Sequence, residues 1–224
     1  MNKNYGPDYY SKTSDANFEI ARIKMEKLAI ALSTNFHSRV SVDIGCARGL
    51  LVQSLRYNKV EAFGLDVSDY IVSIASDMVK PYLKVVDIER SRWPFQDASL
   101  DLVTALETVE HLNNIEYTIS EVHRVLKQGG YFYITTPLPI IDNKFGQFLL
   151  GKGWHRLDKT HVNVHWRYYW KRLLNESGFC YVGTFQNALC DTPSEFWPIK
   201  LLANFRCGNA IRAYISGTYL FIKR

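Results

Sequence analysis

The feature that most constrains the fold is a short apolar stretch ending in two glycines, residues 40–49, with the sequence Val-Ser-Val-Asp-Ile-Gly-Cys-Ala-Arg-Gly. Its apolar residues alternate up to the first glycine, which predicts a buried strand that runs into a tight turn. Residues 50–55 then have helical spacing, and Asp43 stands just before the turn. We expect a ligand-binding corner here, because open α/β sheets bind ligands at the carboxyl ends of their strands.

Composition is that of one ordinary globular domain. The chain has 224 residues, of which 47% are hydrophobic and 22% charged, so we treat residues 1–224 as a single domain. The net charge of +5 is spread along the chain, and no basic stripe predicts a nucleic-acid partner. The four cysteines lack C-x-x-C spacing, which favours reduced thiols and a cytoplasmic location. There is no apolar run of about 18 residues, so we expect no transmembrane segment.

Alternating strand and helix patterns continue beyond the first turn and predict a parallel sheet with crossover helices. We expect strands over 60–66, over 82–88, up to Leu106, after Gly130, over 180–186 and over 213–222. We expect helices from Ser14 or Asp15 to Thr34, over 69–80, from Ile115 to Lys127, closed by Gly129-Gly130, and over 166–177.

Several motifs carry a resemblance to a known family. The D-x-G-x-x-x-G turn at 43–49 resembles the first motif of class I S-adenosylmethionine (SAM) methyltransferases, with Ala47 where glycine is usual. Residues 93–103 resemble that family's "LPFPDGSFDLV" segment, and residues 121–134 its "E-x-x-R-V-L-K-P-G-G" segment, with Gln128 in place of proline. The resemblance covers residues 40–137 and points to the type 11, ubiquinone-biosynthesis-like O-methyltransferases. A nicotinamide-dependent oxidoreductase is the weaker alternative, because two glycines of G-x-G-x-x-G are missing.

The resemblance implies an α/β fold: a seven-stranded, mostly parallel, doubly wound Rossmann-like sheet with helices on both faces and an antiparallel C-terminal hairpin strand. It also implies SAM as cofactor and S-adenosylhomocysteine (SAH) as product. Asp66 would accept the ribose hydroxyls, while Asp87 would accept from the adenine amine and Ile88 would pack on the ring; as an alternative, Asp87 caps a turn. The implied cofactor-binding residues are Asp43, Gly45, Cys46, Ala47, Gly49, Asp66, Val67, Asp87, Ile88 and Leu106.

The acceptor end of the site is predicted from the segment after the fourth strand. Glu107, Glu110 and His111 would share one face of a helical turn. We take His111, His161 and Glu107 as catalytic candidates, since a neutral imidazole can hold or deprotonate an acceptor hydroxyl. The same E-x-x-E-H pattern resembles the divalent-metal site of ubiquinone-pathway and small-RNA O-methyltransferases, which would make Glu107, Glu110, His111 and His161 ligands. Metal-free relatives keep a similar pattern, so we expect no metal here.

Three segments lie outside the regular pattern. We expect residues 1–13 to form an N-terminal arm and residues 138–165 to form a substrate lid, because long connections in compact domains are usually functional. The apolar segment 196–205 is expected to pack in the core or at a homodimer face, with peripheral membrane contact as the alternative. The activity expected is methylation of oxygen in a small molecule, lipid or glycan precursor by a monomer or homodimer; a catalytically silent SAM-binding scaffold is the alternative.

Overall fold

The computed structural model describes residues 5–10, 18–139, 160–183 and 216–224, which contain six α-helices and seven β-strands. The helices are α1 Pro7–Tyr10, α2 Phe18–Phe36, α3 Leu50–Tyr57, α4 Asp69–Ser73, α5 Ile115–Val125 and α6 Arg167–Glu176. The strands are β1 Val40–Ile44, β2 Glu61–Asp66, β3 Leu83–Val85, β4 Leu100–Leu106, β5 Leu126–Pro137, β6 Phe179–Gly183 and β7 Ser216–Lys223.

All seven strands join one sheet in the order β3-β2-β1-β4-β5-β7-β6. Strands β1 to β5 run parallel, whereas β7 runs antiparallel to both of its neighbours, β5 and β6. The predicted seven-stranded, mostly parallel sheet with an antiparallel C-terminal strand is therefore confirmed. The chain order reverses between β1 and β4, so the ligand crevice of this sheet lies at the carboxyl ends of those two strands.

Helices cover both faces of the sheet, and each face has its own apolar core. On one face, Ile119 of α5 and Trp170 of α6 pack with Val42 and Ile44 of β1. On the other, residues of α2, α3 and α4 pack with Ala62 of β2. Because parallel strands are covered on both faces, four of the five residues of β1 are buried. They include an acid, Asp43, and a buried acid in a strand suggests a functional role.

The helix predicted over 69–80 is much shorter than expected. Helix α4 ends at Ser73, and a separate turn of 3₁₀-helix covers Lys80–Tyr82. Serine side chains bond to the local backbone in place of helical turns: the Ser73 hydroxyl donates to the Tyr70 carbonyl, and the Ser76 hydroxyl accepts the amide of Met78. Apolar spacing alone overestimated this helix, because serine competes for the backbone groups that a helix needs.

Two further boundaries differ from prediction. The third strand was expected over 82–88 but ends at Val85, which pairs with Asp66, the last residue of its partner strand β2. The helix expected to reach Lys127 ends at Val125, and Leu126 already pairs with Leu100 of β4. The two glycines at 129–130 therefore lie inside β5, beside the register shift of this strand pair.

Several predicted features fall outside the described residues. These are the helix start at Ser14 or Asp15, residues 140–159 of the expected lid, the segment 196–205, and two of the four cysteines. Cys46 and Cys180 are described, and both are free thiols, as expected.

Candidate functional site

The turn after β1 is built from left-handed backbone. Gly45, Ala47 and Gly49 have φ angles of +70°, +47° and +74°. A side chain at Gly49 would also meet the Leu83 side chain at 2.8 Å, so this glycine permits close packing of the turn against Leu83. At Gly45 the space for a side chain is filled by Thr108, so this glycine brings the turn close to the residues after β4. Ala47 adopts the conformation that explains why glycine is usual at its position.

Asp66, the predicted ribose acid, connects two turns of the site. One carboxylate oxygen accepts the amide of Ala47 at 2.8 Å, and the other accepts the amide of Ser68 at 2.9 Å. Burial raises the pKa of this carboxyl, while the amides of Ser68, Ala47 and Val67 oppose the rise. Each oxygen keeps a further lone pair, so the carboxylate can still accept hydroxyl groups of a ligand.

Asp43 is the second buried acid of this corner. Its carboxyl is 4% exposed and accepts a hydrogen bond of 2.6 Å from the hydroxyl of Thr104, the residue opposite it in β4. Burial raises its pKa to about 7, and the nearby Asp66 adds to the rise. Two acids held in a buried corner favour a ligand that carries positive charge.

The other cofactor candidates occupy varied environments. The Asp87 carboxylate caps a turn by accepting the amide of Glu89 at 3.0 Å, and the buried Ile88 belongs to the main core cluster. The turn-capping alternative for Asp87 is thus realised, which leaves its adenine role a prediction. Cys46 is buried, and Val67 and Leu106 are half-buried beside the carboxyl ends of β2 and β4.

The segment after β4 does not form the helical turn predicted for it. Glu107 has a φ angle of +47° and is exposed, and the 3₁₀-turn begins only at Val109. Because the left-handed residue changes the direction of the chain, Glu107 lies outside the turn that holds Glu110 and His111. The Glu107 carboxyl still lies near that of Glu110 and raises its pKa, so the shared face expected for these three residues stays a prediction.

His111 and His161 do come together, as their selection for one site required. Their ring centroids are 4.7 Å apart, and the Nδ1 atom of His111 lies 2.8 Å from the Thr160 hydroxyl oxygen. The amides of Val162 and Asn163 both donate to the Glu110 carbonyl, at 2.8 and 2.9 Å. The backbone therefore joins residues 160–163 to the turn after β4.

Glu110 lies under this pair and is fully buried. Neither of its carboxyl oxygens has a hydrogen-bond partner of ordinary geometry among the described residues. Burial raises the pKa of Glu110 far above its usual value, and the Glu107 charge adds to the rise. Ligand atoms of Glu110, His111 and His161 lie within 4.8 Å of one another, so three of the four alternative metal ligands are gathered while Glu107 is outside the group.

Sequence reasoning missed the side chains that support these residues. Thr104 was read only as part of a strand, because its pairing with Asp43 depends on the register of β1 and β4. Ser68 caps α4 by accepting the Ile71 amide, and its hydroxyl also donates to the carbonyl of Tyr5 near the N-terminus. Thr160 directly precedes His161, a predicted site residue, and this position was the one sequence signal that could have identified Thr160.

Residues 42–134, which contain the turn, both buried acids and His111, match the family of methyltransferase domains. Residues 42–134 are a methyltransferase domain of the class I type. SAM is the cofactor of this domain, and the two buried acids fit a ligand with a sulfonium and an ammonium group.

Similar proteins act on different acceptors. The chain is 34% identical over 100 residues to malonyl-[acyl-carrier protein] O-methyltransferase 1 of Coxiella burnetii, and the alignment covers 44% of this chain and 33% of that protein. The chain is 26% identical over 133 residues to ubiquinone biosynthesis O-methyltransferase of Marinobacter nauticus, and the alignment covers 53% of this chain and 56% of that protein. It therefore spans less than two thirds of either relative.

The fold also matches solved structures. Magnesium protoporphyrin IX methyltransferase from Synechocystis PCC 6803, solved with bound SAH, superposes with a TM-score of 0.60 at 14% identity, over 91% of this chain and 84% of that one. Within the described residues, no helix combines the length and apolar character needed to cross a bilayer.

Proposed function

We propose that this protein is a SAM-dependent methyltransferase that methylates a hydroxyl group of a small molecule, lipid or glycan precursor. The observation that carries the proposal is the pair of histidines, 4.7 Å apart, held at the carboxyl end of β4 next to the turn of the methyltransferase domain. An amine acceptor needs only its neutral form, whereas a hydroxyl acceptor must lose a proton. Two imidazoles at the acceptor end therefore favour oxygen methylation.

When bound, SAM would supply an activated methyl group to the acceptor oxygen and would leave as SAH. The turn 43–49 and Asp66 bind the cofactor, and His111 or His161 removes the acceptor proton. Most of the rate enhancement is expected from alignment, which can contribute about 7–11 kcal/mol. Residues 138–165 are proposed to close over the acceptor, and their described end, residues 160–163, already contacts the turn after β4.

A metal-assisted reaction is the second candidate, favoured by the buried Glu110 and its two neighbouring histidines. Mixed carboxylate and imidazole ligands suit Mn²⁺ or a similar ion, which would bind the acceptor oxygen in place of a general base. The same three residues would then be ligands.

The test begins with labelled SAM and a panel of cell extracts, to find a methylated product. With that acceptor, His111→Ala and His161→Ala should each lower turnover by about 10²–10⁴-fold, as for a lost general base, while SAM affinity stays unchanged. His37→Asn is the matched control, because His37 precedes β1 at the opposite end of the sheet and asparagine tolerates its positive φ.

Other outcomes would change the assignment. Full activity in both histidine variants would contradict their catalytic role. Alignment of the reactants would then be the one remaining source of rate enhancement in the proposal. Loss of turnover with a chelator and recovery with Mn²⁺ would identify the histidines as ligands. Binding of SAM without any product across the panel would favour a silent scaffold.

A further inference from the structure

Residues 5–10, here called the N-terminal strap, lie across the cofactor crevice. The Tyr5 carbonyl accepts a hydrogen bond of 2.7 Å from the hydroxyl of Ser68, which follows β2. The Tyr5 ring contacts the ring of His111, which follows β4, edge to face at 6.1 Å. Strand β1 lies between those two strands, so the strap spans about 10 Å over the carboxyl end of β1.

The strap is attached to the site by a buried side chain. Ser68 is 4% exposed, its amide donates to Asp66, and its hydroxyl oxygen also accepts the Ile71 amide at 3.2 Å. The one hydroxyl proton of Ser68 goes to the strap. This hydrogen bond fixes the position of the Tyr5 carbonyl, because a buried Ser68 hydroxyl without an acceptor would cost free energy.

Tyr10, at the end of the strap, lies beside the predicted ribose acid. Its ring is half-buried and packs on the core cluster of α2 and α3. The Tyr10 hydroxyl is within hydrogen-bonding reach of Ser68, and burial followed by the Asp66 charge raises the pKa of Tyr10 well above its usual value. The phenol therefore keeps its proton and remains a donor next to Asp66.

Aromatic contacts connect the two ends of the strap. Tyr9 contacts Tyr5 edge to face at 5.1 Å and Tyr10 at 5.2 Å. Edge-to-face pairs of this kind fix relative ring positions. The strap thus behaves as one aromatic unit that reaches from the ribose acid to the histidine pair.

We propose that the N-terminal strap is the outer wall of the cofactor site, with Tyr10 positioning Asp66 for the cofactor and Tyr5 positioning His111 for the acceptor. This inference rests on the proposed function, since it assigns the strap to that site. Nothing in the motif pattern of the methyltransferase domain, residues 42–134, requires it.

The experiment measures SAH affinity and dissociation rate for Tyr10→Ala, Tyr10→Phe and Tyr5→Ala in the full chain. Tyr10→Ala should bind SAH at least about tenfold more weakly and release it faster, the scale of one lost hydrogen bond with its packing. Tyr10→Phe should fall between Tyr10→Ala and the wild type. Tyr5→Ala should keep SAH affinity within about twofold but lower kcat more than it changes KM for SAM, because it acts through His111.

A matched control is Tyr57→Ala, which removes an exposed tyrosine at the end of α3 remote from the turn, and which should leave both constants unchanged. Hydrogen exchange gives a second readout: SAH should slow exchange of the amides of residues 5–10. Thermal unfolding of each variant checks that it is folded.

Wild-type affinity and dissociation rate in both Tyr10 variants, with unchanged exchange in residues 5–10, would overturn the proposal. So would tighter SAH binding after removal of residues 1–12, because the strap would then compete with the cofactor. Failure of the wild type to bind SAH would instead overturn the proposed function, so the two failures are distinguishable.

Discussion

Ala47 holds a backbone conformation that glycine adopts without strain. Its φ of +47° is maintained by the hydrogen bond from its amide to Asp66. A residue with a side chain loses about 1–2 kcal/mol of folding free energy when it adopts the left-handed conformation. Glycine avoids this cost, but its greater freedom in the unfolded chain offsets part of the gain. Strain of this kind persists where the surrounding structure fixes it, often at functional sites.

We expect Ala47→Gly to raise the free energy of unfolding by up to about 1 kcal/mol in urea titrations, because the strain is relieved. Ala98→Gly is the matched variant, since Ala98 also has a positive φ of +50° but lies in the loop before β4. Ala31→Gly inside α2 should instead lower stability by about 0.5–1 kcal/mol. A loss of stability in Ala47→Gly would show that the side chain contributes packing that outweighs strain.

Asp43 predicts a pH dependence. Its pKa is about 7 in the folded protein and about 3.9 in an unfolded chain, so the folded state binds more protons between those values. The free energy of unfolding should therefore fall as pH rises from about 4 to about 7 and then level off. This direction is opposite to that of an acid in an ion pair.

Asp43→Asn should remove this part of the pH profile, because asparagine keeps an acceptor for Thr104 without a charge. The variant should match the wild type near pH 4.5 and exceed it by roughly 2–4 kcal/mol near pH 8, measured without ligand. Comparing the two proteins cancels the contributions of other titrating groups. If the free energies of unfolding of the two proteins changed in parallel with pH, the raised pKa assigned to Asp43 would be contradicted.

At the scale of elements, the E-x-x-R motif of α5 has a structural explanation. Arg124 donates to both carboxylate oxygens of Glu121 at 2.7 Å and to the carbonyls of Trp93 and Phe95. Glu121 also accepts the amide of Trp93 at 2.7 Å. Although burial raises the pKa of Glu121, Arg124 and this amide more than offset that effect and lower it. The motif thus fixes the loop that leads into β4.

Arg124→Ala should destabilise the protein by about 3–5 kcal/mol, because it leaves Glu121 buried and without its cation. Arg92→Ala is the control: Arg92 binds the same Asp97 as Arg124 does, but its side chain is 71% exposed. It should cost no more than about 1 kcal/mol. If chemical denaturation showed equal losses of unfolding free energy in Arg124→Ala and Arg92→Ala, burial of the ion pair between Arg124 and Glu121 would be unimportant for stability.

Element types were predictable where the apolar period was strong, as for β1, β4 and α5. Boundaries failed where other contacts decided them, at Ser73 through local serine bonds and at Leu126 through pairing with Leu100. The histidine pair was found from motif position, and its contact is confirmed. Asp43 contacts Thr104 because of the register of β1 and β4, and Tyr5 contacts His111 across the sheet. Both contacts join residues far apart in the sequence, so local sequence patterns do not predict them.

At the scale of the whole molecule, sheet topology explains why one corner carries the chemistry. The order reverses between β1 and β4, and the residues that follow β1, β2 and β4 supply the turn, Asp66 and His111. The side of the sheet with β5, β6 and β7 holds none of the predicted cofactor residues among the described ranges. It instead carries α6, whose buried Trp170 packs in the main core cluster.

The position of β7 has a consequence for how the chain is made. This strand is hydrogen-bonded to β5 on one side and β6 on the other, although both precede it in the chain. During synthesis, β5 therefore leaves the ribosome with an open edge, and β6 has no sheet to join until residues 216–223 have emerged. An apolar edge left open invites pairing with other chains, so we expect the nascent protein to be prone to aggregation until β7 inserts.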